Sequence, residues 1–141
     1  MITKTIFCDA GHSLYTDRGV IHNGIIENDE ARKVRDILIP LLEKQFKVYK
    51  VPDQFGLQDT VKWVNGVAKK INDGLALSIH LNSNGGEGAE CFYHDWSLVS
   101  GNMATKLINK YCEVTGLNNR GPKPDRQSAP KALWWIKGTN C

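Results

Sequence analysis

Short apolar runs ending in a polar residue alternate along this chain with stretches of helical periodicity, and few folds accept that pattern. Thr5 to Cys8 reads as a strand, followed by a long polar loop over residues 13–26. Helical spacing runs from about Glu27 to Gln45, with Ala31, Val34, Ile37, Leu38, Leu41 and Leu42 on or near one face. Pro40 is expected to kink or split that helix. Phe46 to Val51 reads as a second strand, and Gln58 to Asn72 as a helix with Val61, Val64, Ala68 and Ile71 inward. Leu75 to Leu81 is nearly all apolar, as in a strand buried on both faces. A Gly-rich loop follows over Asn82 to Gly88, then a strand from Gly88 to Tyr93 and a helix from Trp96 to Gly116. Asn118 to Lys131 reads as a basic, Pro-bearing loop, and Ala132 to Lys137 as a short strand. This order predicts an α/β domain with a central, mostly parallel, twisted sheet flanked by helices on both faces.

Composition narrows the function classes. The 141 residues suit one domain with its own core. A net charge of +3, dispersed along the chain, does not point to nucleic acid. No run of about 18 apolar residues exists to insert in a membrane, and the chain is expected to be a monomer. The first eight residues are too short for a secretory signal and feed straight into Asp9. Cys8, Cys91, Cys112 and Cys141 form no CxxC pair, so a cysteine zinc site is not expected. Cys8 and Cys91 lie in apolar strand-like runs and read as buried small hydrophobes, with a reactive thiol as the alternative.

Three separated residues carry the chemistry. His12 in Cys8-Asp9-Ala10-Gly11-His12-Ser13 and His80 in Leu77-Ser78-Ile79-His80-Leu81-Asn82 each end an apolar strand. Glu27 opens the first helix. Sites in open α/β sheets lie at the carboxyl ends of strands, so the topology collects all three at one edge. Two imidazoles and a carboxylate are the protein ligands of a catalytic zinc ion. Taken singly, each residue has a bland reading, such as a carboxylate complementing a helix dipole. Asp9 either orients a ligand from behind or caps the turn after its strand. Asn82 shares a face with His80 and either fixes its loop or meets substrate. Glu90 stands in an otherwise apolar strand, where a carboxylate is costly unless paired or facing a polar cleft. It is the candidate for a further catalytic residue. His22 reads as a solvated surface residue, and Trp134-Trp135 as core packing or as a sugar-stacking pair.

Asp9-Ala10-Gly11-His12, Glu27, Ser78-Ile79-His80-Leu81-Asn82, Gly88-Ala89-Glu90-Cys91-Phe92-Tyr93 and Arg120-Gly121-Pro122-Lys123-Pro124-Asp125 occur in this order along the chain. In that order they resemble the zinc-dependent N-acetylmuramoyl-L-alanine amidases with the phosphorylase/hydrolase-like α/β fold. The resemblance spans essentially the whole chain. It implies that His12, Glu27 and His80 bind Zn²⁺ and that the substrate is peptidoglycan. The bond cut would be the amide joining the lactyl group of N-acetylmuramic acid to L-alanine of the stem peptide. It also implies a catalytic glutamate on a final strand. No glutamate follows Glu113 here, so residues 1–141 are expected to be a catalytic domain truncated at its C-terminus.

Two other functions stay open. One is a non-catalytic peptidoglycan-binding module using the same groove, and the other is a zinc peptidase acting on the stem peptide. The expected location is the cytoplasm followed by action at the cell wall, as for a phage endolysin, or secretion within a longer precursor.

Overall fold

In the first of two compact units, a fully buried strand lies between two parallel partners. The computed structural model describes residues 5–71, 73–82, 86–131 and 133–141. The units are Met1–Ser83 with Thr139–Cys141, and Asn84–Gly138. The expected helix end at Asn72, residues 83–85 of the Gly-rich loop and Ala132 lie outside the described residues.

The buried strand is β1 (Thr5–Asp9), in which Phe7 and Cys8 have no exposed surface. A two-residue pair follows, β2 (Ile21–His22) and β3 (Ile25–Ile26), then α1 (Glu27–Leu42) and β4 (Lys47–Lys50). α2 (Leu57–Ala68) and β5 (Gly74–Ser78) complete the unit. The sheet order is β4-β1-β5, all parallel, with Phe7 opposite both Tyr49 and Ala76. The chain moves from β1 to β4 in one direction and from β4 to β5 in the other. Right-handed crossovers then put α1 and α2 on opposite faces. The side chains agree: Phe7 stacks on Tyr49 and meets Trp63 of α2 edge-on, whereas the adjacent Cys8 feels the charge of Arg35 on α1. The expected α/β architecture, a mostly parallel sheet flanked by helices, is the one observed.

The second unit is one more strand–helix–strand. β6 (Ala89–Tyr93) and β7 (Asn119–Pro124) pair in parallel, linked by α3 (Leu98–Thr115). Ala104, Ile108 and Cys112, spaced by four, form the buried stripe of α3. Ser97 caps its N-terminus by accepting from Ser100 N–H. Gly116 ends it at φ 72°, a left-handed position suited to glycine. A short 3₁₀ turn (Asp125–Gln127) and α4 (Trp134–Gly138) follow.

Several local expectations are corrected. The basic segment contains β7, because a strand paired on one side can leave a proline's missing N–H on the unpaired side. The tryptophan pair starts helix α4 rather than a strand; its β-favouring residues are outweighed by a helical turn closed by Lys137 N–H on Leu133 C=O. Pro40 does not split α1: it lies in the last turn and forgoes one bond, from its own position to Asp36 C=O, while Glu43 N–H beyond it still donates to Ile39 C=O. β5 is only half buried, because β1 is its one partner among the described strands of this sheet. The inner face of α1 is mostly polar. Glu27, Asn28, Ala31 and Arg35 are buried, and Val34, Ile37 and Leu41 are exposed. The exchange is tolerable because Glu27, Arg35 and the Asn28 Nδ2 find partners, although Asn28 Oδ1 is buried without one.

Candidate metal centre

Two glycine-dependent turns and one hairpin create the site. After β1 the chain passes through Gly11 at φ 27° and His12 at φ 64°. A non-glycine residue at positive φ is uncommon and needs support. Buried Asn28 supplies it, its Nδ2 donating to Ala10 C=O at 3.1 Å and Gly11 C=O at 2.7 Å. The next residues are tied to the loop after β4. Leu14 N–H donates to Asp53 C=O at 2.8 Å, and Ser13 Oγ donates to Gln54 C=O at 3.4 Å.

The segment expected to be an unstructured polar loop contains the β2–β3 hairpin. Asn23 and Gly24 both have positive φ, the signature of a type I′ turn, and pair Ile21 with Ile26. The hairpin returns the chain so that Glu27 N–H donates to Val20 C=O at 2.9 Å. Glu27 thereby starts α1 facing His12. His80 arrives two residues after β5. Its approach is fixed by Ile79 N–H donating to Asp9 C=O at 3.1 Å and by Ser78 Oγ donating to the Asp9 carboxylate at 2.5 Å.

His12, Glu27 and His80 come together as expected. Each offers a donor atom within 4.8 Å of the others, the one such group of three among the described residues. Glu27 bridges the rings, with Oε2 3.1 Å from His12 Nε2 and Oε1 3.1 Å from His80 Nδ1. The ring centroids are 5.0 Å apart. Val20 N–H donates to Oε2 at 3.0 Å and Leu81 N–H to Oε1 at 3.1 Å. Burial opposes ionisation of Glu27, but these hydrogen bonds and the neighbouring imidazoles outweigh it and hold the pKa near 2. Burial likewise pulls His12 down, while Asp17 and Glu27 raise it above the ordinary histidine value. The carboxylate is thus ionised at neutral pH, and the two imidazoles face it. That donor set and its convergence fit a divalent cation, which competes for the nitrogens that Glu27 now faces.

Asp9 is buried behind the strand ends. Burial raises its pKa, against the opposing effects of Ser78 and His80. Asn82 is exposed two residues beyond His80. Glu90 lies in the second unit with its side chain 8% exposed. Oε2 is 2.5 Å from Lys123 Nζ and 3.2 Å from Arg120 Nη2. His22 is exposed, as read from the sequence. Two residues of the site escaped sequence reasoning, Asn28 and Asp17. Asp17 Oδ2 lies 3.0 Å from His12 Nδ1. The Asn23-Gly24 turn was the available signal, since a tight hairpin there folds the loop over the helix start.

Gly19, at φ 73°, passes so close that a Cβ would lie 2.7 Å from Glu27 Oε2 and 2.7 Å from the His12 ring. Gly19→Ala is expected to displace both side chains. It should cost about 1–3 kcal/mol of stability through the left-handed backbone and the clash. Thermal unfolding and metal titration of the variant will read both effects, and an unchanged affinity would refute the displacement.

The ends of two sheet strands and the start of α1 thus bring together two imidazoles and a carboxylate, a group that could hold a metal ion. The chain belongs to the N-acetylmuramoyl-L-alanine amidase family, whose model matches residues 6–141. Solved structures agree on the fold. An N-acetylmuramoyl-L-alanine amidase from Clostridium difficile 630 superposes with TM-score 0.79 at 21% identity, covering 98% of this chain and 75% of that one. The CwlD amidase of Clostridioides difficile, solved with the GerS lipoprotein, gives 0.79 at 23% identity, with 97% and 77% covered. AmiC2 of Nostoc punctiforme gives 0.76 at 23% identity, with 97% and 74% covered. No curated protein sequence matches the chain. Among the described residues no helix is long and apolar enough to cross a membrane.

Proposed function

We propose that this chain hydrolyses the amide between N-acetylmuramic acid and L-alanine in peptidoglycan, with zinc held by His12, Glu27 and His80. The convergence of those three side chains in a member of this amidase family carries the reading. When bound, zinc supplies Lewis acidity toward the scissile carbonyl and a hydroxide nucleophile at neutral pH. The chain's own groups hold the ligands in place. Val20 and Leu81 N–H groups keep Glu27 between the two rings, and Asn28 holds the turn that presents His12. We propose that the protein acts at the cell wall as a monomer.

Proton transfer to the leaving amine requires a further group, worth roughly 10²–10⁴-fold. Glu90 is the carboxylate proposed for it, and a glutamate carried beyond residue 141 is the competing source. Glu90→Gln keeps the side-chain shape. A fall of about 100-fold or more in hydrolysis, with folding intact, is expected if Glu90 moves the proton. A change below about 5-fold would assign Glu90 to its salt bridges with Arg120 and Lys123 alone.

Mass analysis of products released from purified peptidoglycan tests the reaction itself. Free stem peptides with an intact N-terminal alanine are expected. Cut stems would mean a peptidase, and co-sedimentation without release a binding module.

A further inference from the structure

Asp17 holds the loop between the first two ligands at three points. Its C=O accepts from Ser13 N–H at 2.7 Å, its Oδ1 from Gly19 N–H at 3.0 Å, and its Oδ2 lies 3.0 Å from His12 Nδ1. The first contact closes a one-pair antiparallel bridge beside His12. The second fixes the glycine that passes against Glu27 and His12. The third uses the ring nitrogen of His12 that faces away from Glu27, since Nε2 is the atom turned to the carboxylate. An imidazole has two nitrogens, and a group that accepts from one decides which remains free to bind a metal.

We infer that Asp17 is a positioning residue of the metal centre, accepting the Nδ1 proton of His12 so that Nε2 is the donor presented beside Glu27. This rests on the zinc reading above. Asp17 is itself two-thirds exposed, so it is not needed to fill the core. Its carboxylate does not join the group formed by His12, Glu27 and His80. Its effect therefore passes through the His12 ring.

The test uses residues 1–141 as wild type, Asp17→Asn and Asp17→Ala. Zinc affinity is measured by competition with a chromophoric chelator. Long-range ¹H–¹⁵N spectra of the histidine rings in the zinc-loaded protein report which nitrogen is metal-bound and which carries a proton. Thermal unfolding of the metal-free protein reports any purely structural role. In wild type, His12 is expected to bind through Nε2 with Nδ1 protonated. Asp17→Ala should lose on the order of 10–100-fold in zinc affinity, with little change in the metal-free unfolding midpoint. Asp17→Asn, whose amide oxygen still accepts from Nδ1, should recover part of that loss. Unchanged affinity in Asp17→Ala would overturn the proposal, as would binding of wild-type His12 through Nδ1. A loss that only tracks unfolding and is not rescued by Asn would also overturn it. Failure of the wild type to bind zinc would overturn the metal reading and this inference together, whereas tight wild-type binding with no effect at Asp17 removes this inference alone.

Discussion

Glu27→Gln is expected to lower zinc affinity by more than about 100-fold and to abolish peptidoglycan hydrolysis. Outer partners of metal ligands alone account for about 10–100-fold, so a ligand that also sets the charge of the site should matter more. The amide is nearly isosteric and can still accept from Val20 N–H or Leu81 N–H, so the backbone around it is supported. What it loses is the negative charge between His12 and His80 and one of the two acceptor oxygens. His80→Ala should behave similarly, although its ring is 46% exposed and its loss should disturb the fold less. Metal content after gel filtration, with zinc affinity, will check both. Stoichiometric zinc in either variant, with an affinity near that of wild type, would remove that residue from the ligand set.

The convergence of His12, Glu27 and His80 was legible because its logic is topological. A histidine after a buried strand and a glutamate at a helix start are recognisable by local pattern, and the strand-end rule then gathers them. Asp17 and Asn28 were not, because their roles depend on chain directions that no pattern encodes. Asn28 matters only because Gly11 and His12 adopt positive φ and turn two carbonyls inward. Asp17 matters only because the Ile21–Ile26 pairing draws the loop back across α1. The same cause misled the reading of α1. Its apolar residues Val34, Ile37 and Leu41 outline a plausible core face, but the helix is rotated to aim Glu27 and Asn28 at the site. Once the Glu27 end is fixed, the 3.6-residue period carries Ala31 and Arg35 inward as well. Strands with ordinary apolar composition were found nearly to their ends, except β5, which stops at Ser78 rather than Leu81. β7 was not, since Asn119-Arg120-Gly121-Pro122-Lys123-Pro124 contains no strand-forming residue.

That rotation leaves an arginine to be accommodated, and its partner is the site of the largest expected loss of stability. Arg35 is 1% exposed, and its guanidinium grips Asp53 with both Nη atoms, Nη2 to Oδ2 at 3.2 Å. Nε donates to Asp36 at 2.9 Å, and Lys50 holds the same Asp36 oxygen at 2.9 Å. Burial pulls the Arg35 pKa down, and the two carboxylates more than offset it. Asp53→Ala would strand the guanidinium with Asp36 alone. Breaking a buried pair on one side costs about 3–5 kcal/mol, because the remaining charge stays desolvated. That is a large share of the roughly 5–15 kcal/mol that holds a domain of this size together. Arg35→Met in the same background should recover much of the loss, since an apolar chain of similar length leaves no charge to satisfy. Urea unfolding of the two single variants and the double variant gives the coupling. Additive losses would show that the pair does not act as a unit. The consequence reaches the metal centre as well. Asp53 C=O receives Leu14 N–H, two residues from His12, while Arg35 lies two turns along the helix that Glu27 begins. A weakened Arg35–Asp53 pair should therefore loosen His12 and Glu27 at once, and, on the proposed zinc site, added zinc should restore part of the stability lost by Asp53→Ala through its preference for the folded state.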